Sequence, residues 1–234
     1  MVKIDNVRLS FSEKFRNHHL LWGLSKESVS DIVLRFTNEF DRCHQRGFDN
    51  SLNYHRDNRT PEEYIYDLFY GWAIEELVVL WLERLVKTLD TGAIVVKRGL
   101  DSDRSLKFKM EDITSLQDIE IIWSTGSRKR IEIQSTRQGR RDGSGYDHKR
   151  YKVARAIKDN SIFLWINPVV GEVFIVTVDD IKKKGVNSTA WGKDTYKIYD
   201  LPEDRYIKIT NALPYEYQKL LGFTKSILRQ AQRE

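Results

Sequence analysis

The sequence predicts an α/β fold, with strands and helices arranged in layers. Three observations lead there. Two apolar runs alternate with period two around a polar turn, Asp118-Ile119-Glu120-Ile121-Ile122-Trp123 and Arg130-Ile131-Glu132-Ile133-Gln134-Ser135, the pattern of a β-hairpin. Stretches with helical spacing stand on both sides of this hairpin. Two further strand-like runs follow, Ile162 to Ile166 and Glu172 to Val178. With 234 residues and 40% hydrophobic residues, the chain can bury one sizeable core or a core with a smaller appendage.

The elements follow in order. Residues 1–58 read as mostly helical. Ser25 caps a helix with Glu27 and Ser28 in its first turn, and Val29, Ile32, Val33, Phe36 and Phe40 recur at helical spacing. A polar loop spans 47–58. Thr60-Pro61-Glu62-Glu63 is a helix start, with a capping threonine, proline at the first helical position and glutamate at the third. This helix is expected to run to about Leu89, buried where Leu77 to Leu82 is apolar nearly all round. Gly92 ends it, and Ala93 to Val96 is a strand. A polar, irregular segment, 101–115, leads into the hairpin. Beyond it come a Gly-, Arg- and Ser-rich loop at 139–145 and a basic helix from about Asp147 to Lys158. The strands at 162–166 and 172–178 close the core. Residues 179–234 mix loops, a strand at Arg205 to Ile209 and a terminal helix from Pro214. The expected organisation is a helical N-terminal region (1–58) packed on a core (59–180), with a C-terminal extension (181–234).

Composition narrows the function. The single cysteine, Cys43, excludes a disulfide framework and a zinc site built on cysteine pairs. Charges interrupt every apolar stretch, and the N-terminus lacks the apolar core of a signal peptide, so a cytoplasmic protein is expected. The net charge is +5. It is concentrated between Arg128 and Lys158, where 11 Lys and Arg face three acidic residues, a local excess of eight. Such clustering suits a polyanion, although a basic face can be merely solvated.

Within this basic region lies an acidic pair. Asp118 opens the first hairpin strand. Glu132 and Gln134 are two apart on the second and so point to one face. Two carboxylates on neighbouring strands form an oxygen-rich site suited to a hard divalent cation such as Mg2+.

The order helix, strand, acidic hairpin, helix, strand resembles the PD-(D/E)xK nuclease superfamily over residues 60–178. That group includes many type II restriction endonucleases and the archaeal Holliday-junction resolvases. Asp118 stands at the first acidic position, preceded by Gln117 rather than proline. Glu132-Ile133-Gln134 stands at the (D/E)xK element, with glutamine in place of lysine. Gly71-Trp72-Ala73-Ile74-Glu75-Glu76-Leu77-Val78 is similar to the leading-helix pattern of glycine, three residues, glutamate. The resemblance implies a restriction-endonuclease-like core, a mixed β-sheet flanked by helices. It implies Mg2+, with Mn2+ able to substitute, held by Asp118, Glu132, the Ile133 carbonyl and Glu75, the last directly, through water or by a second ion.

Gln134 cannot supply the lysine's charge and would position the attacking water by hydrogen bonding. Arg137, Arg140, Arg141, Lys149, Arg150 and Lys152 would hold the backbone of double-stranded DNA. Cutting both strands of a symmetric site implies a homodimer. The glutamine also motivates a second expectation, a DNA-binding module on a catalytically decayed core. A structure-selective resolvase or repair nuclease is a third.

Other residues carry weaker signals. His18 and His19 are adjacent and diverge on any regular element, so they do not form a two-ligand metal site. His44 and His55 fall in or near loops. His148 opens the expected basic helix, where solvent exposure is expected ahead of a phosphate contact, and Trp191, in a polar stretch, is a candidate base or partner contact.

Overall fold

The computed structural model describes residues 13, 15, 18–46, 61–98, 118–135, 146–167, 172–190, 193–198, 206–208 and 214–233. The chain divides into two compact units, one of residues 1–82 and 99–116, the other of 83–98 and 117–234. The boundaries expected from the sequence are 58/59 and 180/181. No helix among the described residues is long and apolar enough to cross a membrane.

The first unit contains α1 (His18–Trp22), α2 (Lys26–Arg46) and most of α3 (Pro61–Lys87), which passes into the second unit after Leu82. Ser25 caps α2 as expected, its hydroxyl accepting the Ser28 N–H at 3.1 Å. The α2 stripe Val29, Ile32, Val33, Phe36 and Phe40 is buried. On α3, burial runs round the helix from Phe69 to Leu82, as its apolar middle predicts. Aromatic rings fill this core: Trp22 lies 5.2 Å from Trp81, Phe15 5.1 Å from Tyr70 and Phe36 6.3 Å from Phe69. Such pairs contribute about 0.5–1.5 kcal/mol each beyond their buried area. His18 belongs to this core. It is 1% exposed, its Nδ1 accepts the Trp22 indole N–H at 3.2 Å, and burial lowers its pKa to about 3.

The second unit is built on β1 (Ile94–Lys97), β2 (Ile119–Ile122), β3 (Arg128–Ser135), β4 (Tyr146–Lys149), α4 (Arg150–Asp159), β5 (Ile162–Asn167), β6 (Glu172–Thr177), α5 (Val178–Lys184), β7 (Val186–Ala190), β8 (Lys193–Ile198), β9 (Tyr206–Lys208) and α6 (Pro214–Arg233). Six strands form a mixed sheet in the order β1-β2-β3-β5-β6-β9, and a second sheet runs β4-β8-β7. In the larger sheet only β3 and β5 are parallel, and the chain between them passes through α4. A parallel neighbour needs such a crossover because a tight turn can only reverse the chain.

The β2–β3 hairpin turns at Trp123–Gly126, where the Gly126 N–H donates to the Trp123 carbonyl at 2.9 Å. Gly126 has φ +87°, a left-handed conformation costly for other residues. Asp90, in the loop after α3, steadies this turn by accepting the Ser124 N–H at 2.8 Å and its hydroxyl at 2.7 Å.

The two faces of the larger sheet differ. Ile119, Ile121, Ile131, Ile133, Leu164 and Ile175 are buried on one. The other carries Glu120, Arg130, Glu132 and Gln134, then Phe163 and Trp165. Helix α4 covers the apolar end of this second face, where Val153 and Ala156 pack with Phe163, Trp165, Val176, Val178 and Ile181.

Several elements differ from expectation. Residues 146–149 form a strand, and the basic helix starts at Arg150 rather than Asp147. The strand expected to reach Val178 ends at Thr177, whose side chain and that of Asp180 form a capping box that starts α5. The β7–β8 hairpin lies where only loops were expected. Thr60, the 47–58 and 101–115 loops, and the 139–145 loop lie outside the described residues.

Candidate active site

The site grows from the end of the β2–β3 ladder. Ile119 is opposite Ile131, so Asp118, one residue earlier, comes opposite Glu132. Asp118 continues the pairing in an altered form. Its carbonyl accepts the Arg98 N–H at 2.9 Å, and its side-chain Oδ2 accepts the Ile133 N–H at 2.6 Å. The carboxylate is thus fixed beside β3 by a main-chain donor.

Glu132 is 2% exposed. A carboxylate so buried requires partners, and α4 supplies two. The Arg155 guanidinium Nη2 lies 2.9 Å from Oε2, and the Lys152 ammonium bonds Oε1. Lys152 and Arg155 are three apart and share one helix face. Burial alone would lower the Lys152 pKa, but the Glu132 and Asp118 carboxylates outweigh it and raise the value above that of an ordinary lysine. The Gln134 amide Nε2 lies 3.1 Å from Glu132 Oε1 and donates to the Ile133 carbonyl, also at 3.1 Å.

A second buried carboxylate, Glu120, sits one rung further along the same face. Arg98 approaches it at 2.7 Å and Arg130 at 3.2 Å, with Arg128 at 3.6 Å. Burial pushes the Glu120 pKa up, but hydrogen bonds from Arg98 and Arg130 pull it below the usual value. Arg130 also pairs with Asp159 of α4 at 3.0 Å. Residues 152, 155 and 159 therefore form one polar stripe, ionically joined to β3 along its length.

The structure brings Asp118, Glu132, Ile133 and Gln134 together. Glu75 is on α3 in the first unit, half-buried. Its neighbour Glu76 pairs with Arg35 at 3.3 Å. Lys152, expected among the DNA-backbone contacts, is found on Glu132. Arg150 opens α4. Lys149 and His148 are in strand β4, while Arg137, Arg140, Arg141, His55 and Trp191 lie outside the described residues. His44 is within α2, not in a loop.

Sequence reading missed Arg155 and the pairing of Lys152 with Glu132. The available signal was the crossover itself, which lays the helix after a strand back over that strand, together with the three-residue spacing of the two cations.

The donor chemistry fits a hard divalent cation, since two carboxylates and a main-chain carbonyl offer only oxygen. Among the described residues no group of three or more His, Cys, Asp or Glu could hold a metal ion. Of the four ligands expected, Asp118, Glu132 and the Ile133 carbonyl belong to the second unit and Glu75 to the first. Compared with known protein families and with curated proteins, the chain matches none.

Proposed function

We propose that this chain is a Mg2+-dependent endonuclease that hydrolyses DNA phosphodiester bonds on a restriction-endonuclease-like core, acting as a type II restriction enzyme. The observation that carries this reading is the apposition of Asp118 and Glu132 at the end of the β2–β3 ladder, where Asp118 accepts the main-chain N–H of Ile133. The order of elements supports it, with an antiparallel acidic hairpin followed by a helical crossover to a parallel strand.

Asp118, Glu132 and the Ile133 carbonyl would hold the cation. Mg2+ held there would supply a more acidic water and would offset charge developing on phosphate oxygens. Gln134 offers an amide for orienting the attacking water. Basic residues between Arg128 and Lys158 would hold the DNA backbone, and a homodimer would present two such sites to a symmetric duplex.

A second reading, a DNA-binding module on a decayed core, is favoured by one observation. Both oxygens of Glu132 already have cationic partners from α4, so a metal must compete for them.

Incubation with long duplex DNA and Mg2+ or Mn2+ near neutral pH tests these readings. Discrete fragments are expected. A smear would indicate cleavage without sequence selection, and cleavage confined to branched DNA a resolvase. Retention of DNA with no cleavage under either metal would sink the endonuclease and leave the binding module.

A further inference from the structure

The hairpin has a chemical gap. A phosphodiester-cleaving site needs positive charge near the attacking oxygen and the phosphate, and Gln134 has none to give. The geometry points to Lys152 of α4 as the residue that supplies this charge, reaching from the crossover helix to where a strand cation at position 134 would act. This inference rests on the endonuclease reading.

Three observations carry it. The Lys152 ammonium and the Gln134 amide share one atom, Glu132 Oε1, so the helix cation occupies the neighbourhood that the side chain at 134 addresses. Glu132 lies opposite Asp118 in the β2–β3 ladder, so the group that Lys152 bonds belongs to the acidic pair. The Lys152 side chain keeps 21% of its surface exposed while Glu132 is nearly sealed, so Lys152 is the partner of the pair that reaches solvent. Arg155, on Oε2, remains to hold Glu132 in place when Lys152 turns toward substrate.

In the reaction a water oxygen bonds to phosphorus and the bond from phosphorus to the leaving oxygen breaks. One proton of the water passes through solvent to the leaving oxygen, giving a phosphomonoester and an alcohol. Negative charge grows on the non-bridging oxygens on the way. Lys152 donates a hydrogen bond to one of these oxygens and is unchanged at the end of the reaction.

The test uses the full chain, linear duplex DNA and Mn2+ in four forms: wild type, Lys152→Ala, Lys152→Arg, and Lys152→Ala combined with Gln134→Lys. Thermal unfolding checks that each is folded. Lys152→Ala is expected to lower the cleavage rate about 100-fold or more. Lys152→Arg should keep part of the rate, and the double variant should recover at least about tenfold over Lys152→Ala.

Calorimetric titration with Mn2+ gives a second readout. Removing a fixed positive charge from beside the carboxylates should tighten Mn2+ binding by up to about tenfold, whereas a lysine that merely braces Glu132 would weaken binding when removed. Full cleavage by Lys152→Ala, no rescue by lysine at 134, or weaker Mn2+ binding overturns this inference while the endonuclease reading stands. A wild-type chain that never cuts DNA overturns both.

Discussion

The Ile133 main-chain N–H donates to Asp118 Oδ2 at 2.6 Å. One side chain thereby finishes the β2–β3 ladder and presents its carboxylate beside Glu132, coupling strand pairing to the acidic pair.

This coupling dictates how the site is probed. Asp118→Asn keeps an oxygen for Ile133 and removes the charge. We expect cleavage to fall about 100-fold or more with little change in unfolding temperature. Asp118→Ala should also lose about 1–3 kcal/mol, because the Ile133 N–H is left without its acceptor. Glu132→Gln is the milder probe at the second position, since Glu132→Ala strands two α4 cations. Breaking a buried pair in that way costs about 3–5 kcal/mol. DNA cleavage and urea unfolding measured on the same preparations separate the two effects, and a folded Asp118→Asn protein that cuts at the wild-type rate refutes the assignment.

DNA affinity should depend on salt through the basic stretch. Each phosphate neutralised by Lys or Arg releases counterion, so log affinity falls with log salt by about 0.9 per contact on duplex DNA. Replacing Arg140 and Arg141 with alanine should weaken binding to all sequences and flatten that slope by about 1–2. Fluorescence anisotropy at several salt concentrations reads it. An identical slope means that these arginines make no phosphate contact.

His18 gives the first unit an acid sensitivity. The folded pKa is about 3 against 6.5 for the ordinary group. The unfolded chain therefore binds the extra proton between these values. The stability from keeping His18 neutral is complete above pH 6.5 and is lost as pH falls toward 3, at roughly 1.4 kcal/mol per pH unit. His18→Gln, which retains an acceptor for the Trp22 indole, should flatten the dependence between pH 4 and 6.5 while lowering stability at pH 7.5. Unfolding curves across that range decide, and parallel profiles for the two proteins would contradict it.

The capping box at α5 can be tested on its own. Thr177 accepts the Asp180 N–H at 3.2 Å, and Asp180 accepts the Thr177 N–H at 2.9 Å. Thr177→Ala should cost about 1 kcal/mol in denaturant unfolding. Thr177→Ser should cost less, because its hydroxyl can make the same bond.

Much of this architecture was legible because its signals are local. The hairpin announced itself by the alternation of Ile119, Ile121, Ile131 and Ile133, all of them buried on one face. The α2 stripe and the Ser25 cap were equally plain. Strand β4 was not, since Tyr-Asp-His-Lys has no apolar alternation and gains its form from pairing with β8, almost 50 residues later. The same holds for β7 and β8, whose polar residues pair with each other in the smaller sheet. At the site, Asp118, Glu132 and Gln134 were readable from hairpin register. The partners of Glu132 were not, because Lys152 lies 20 residues away and meets it only through the fold of the crossover. A basic helix reads alike in sequence whether its charges face solvent or a buried acid.

Strand β4 ends at Lys149 and α4 begins at Arg150, with no residue between them. Lys152 is therefore three residues from the last rung of the smaller sheet while its ammonium rests on a strand of the larger one. Two hydrogen-bonded frameworks set its position from opposite ends, like a gauge pin held between two jaws. The smaller sheet thus ends within one helical turn of the positive charge that closes over the buried carboxylate of the larger one.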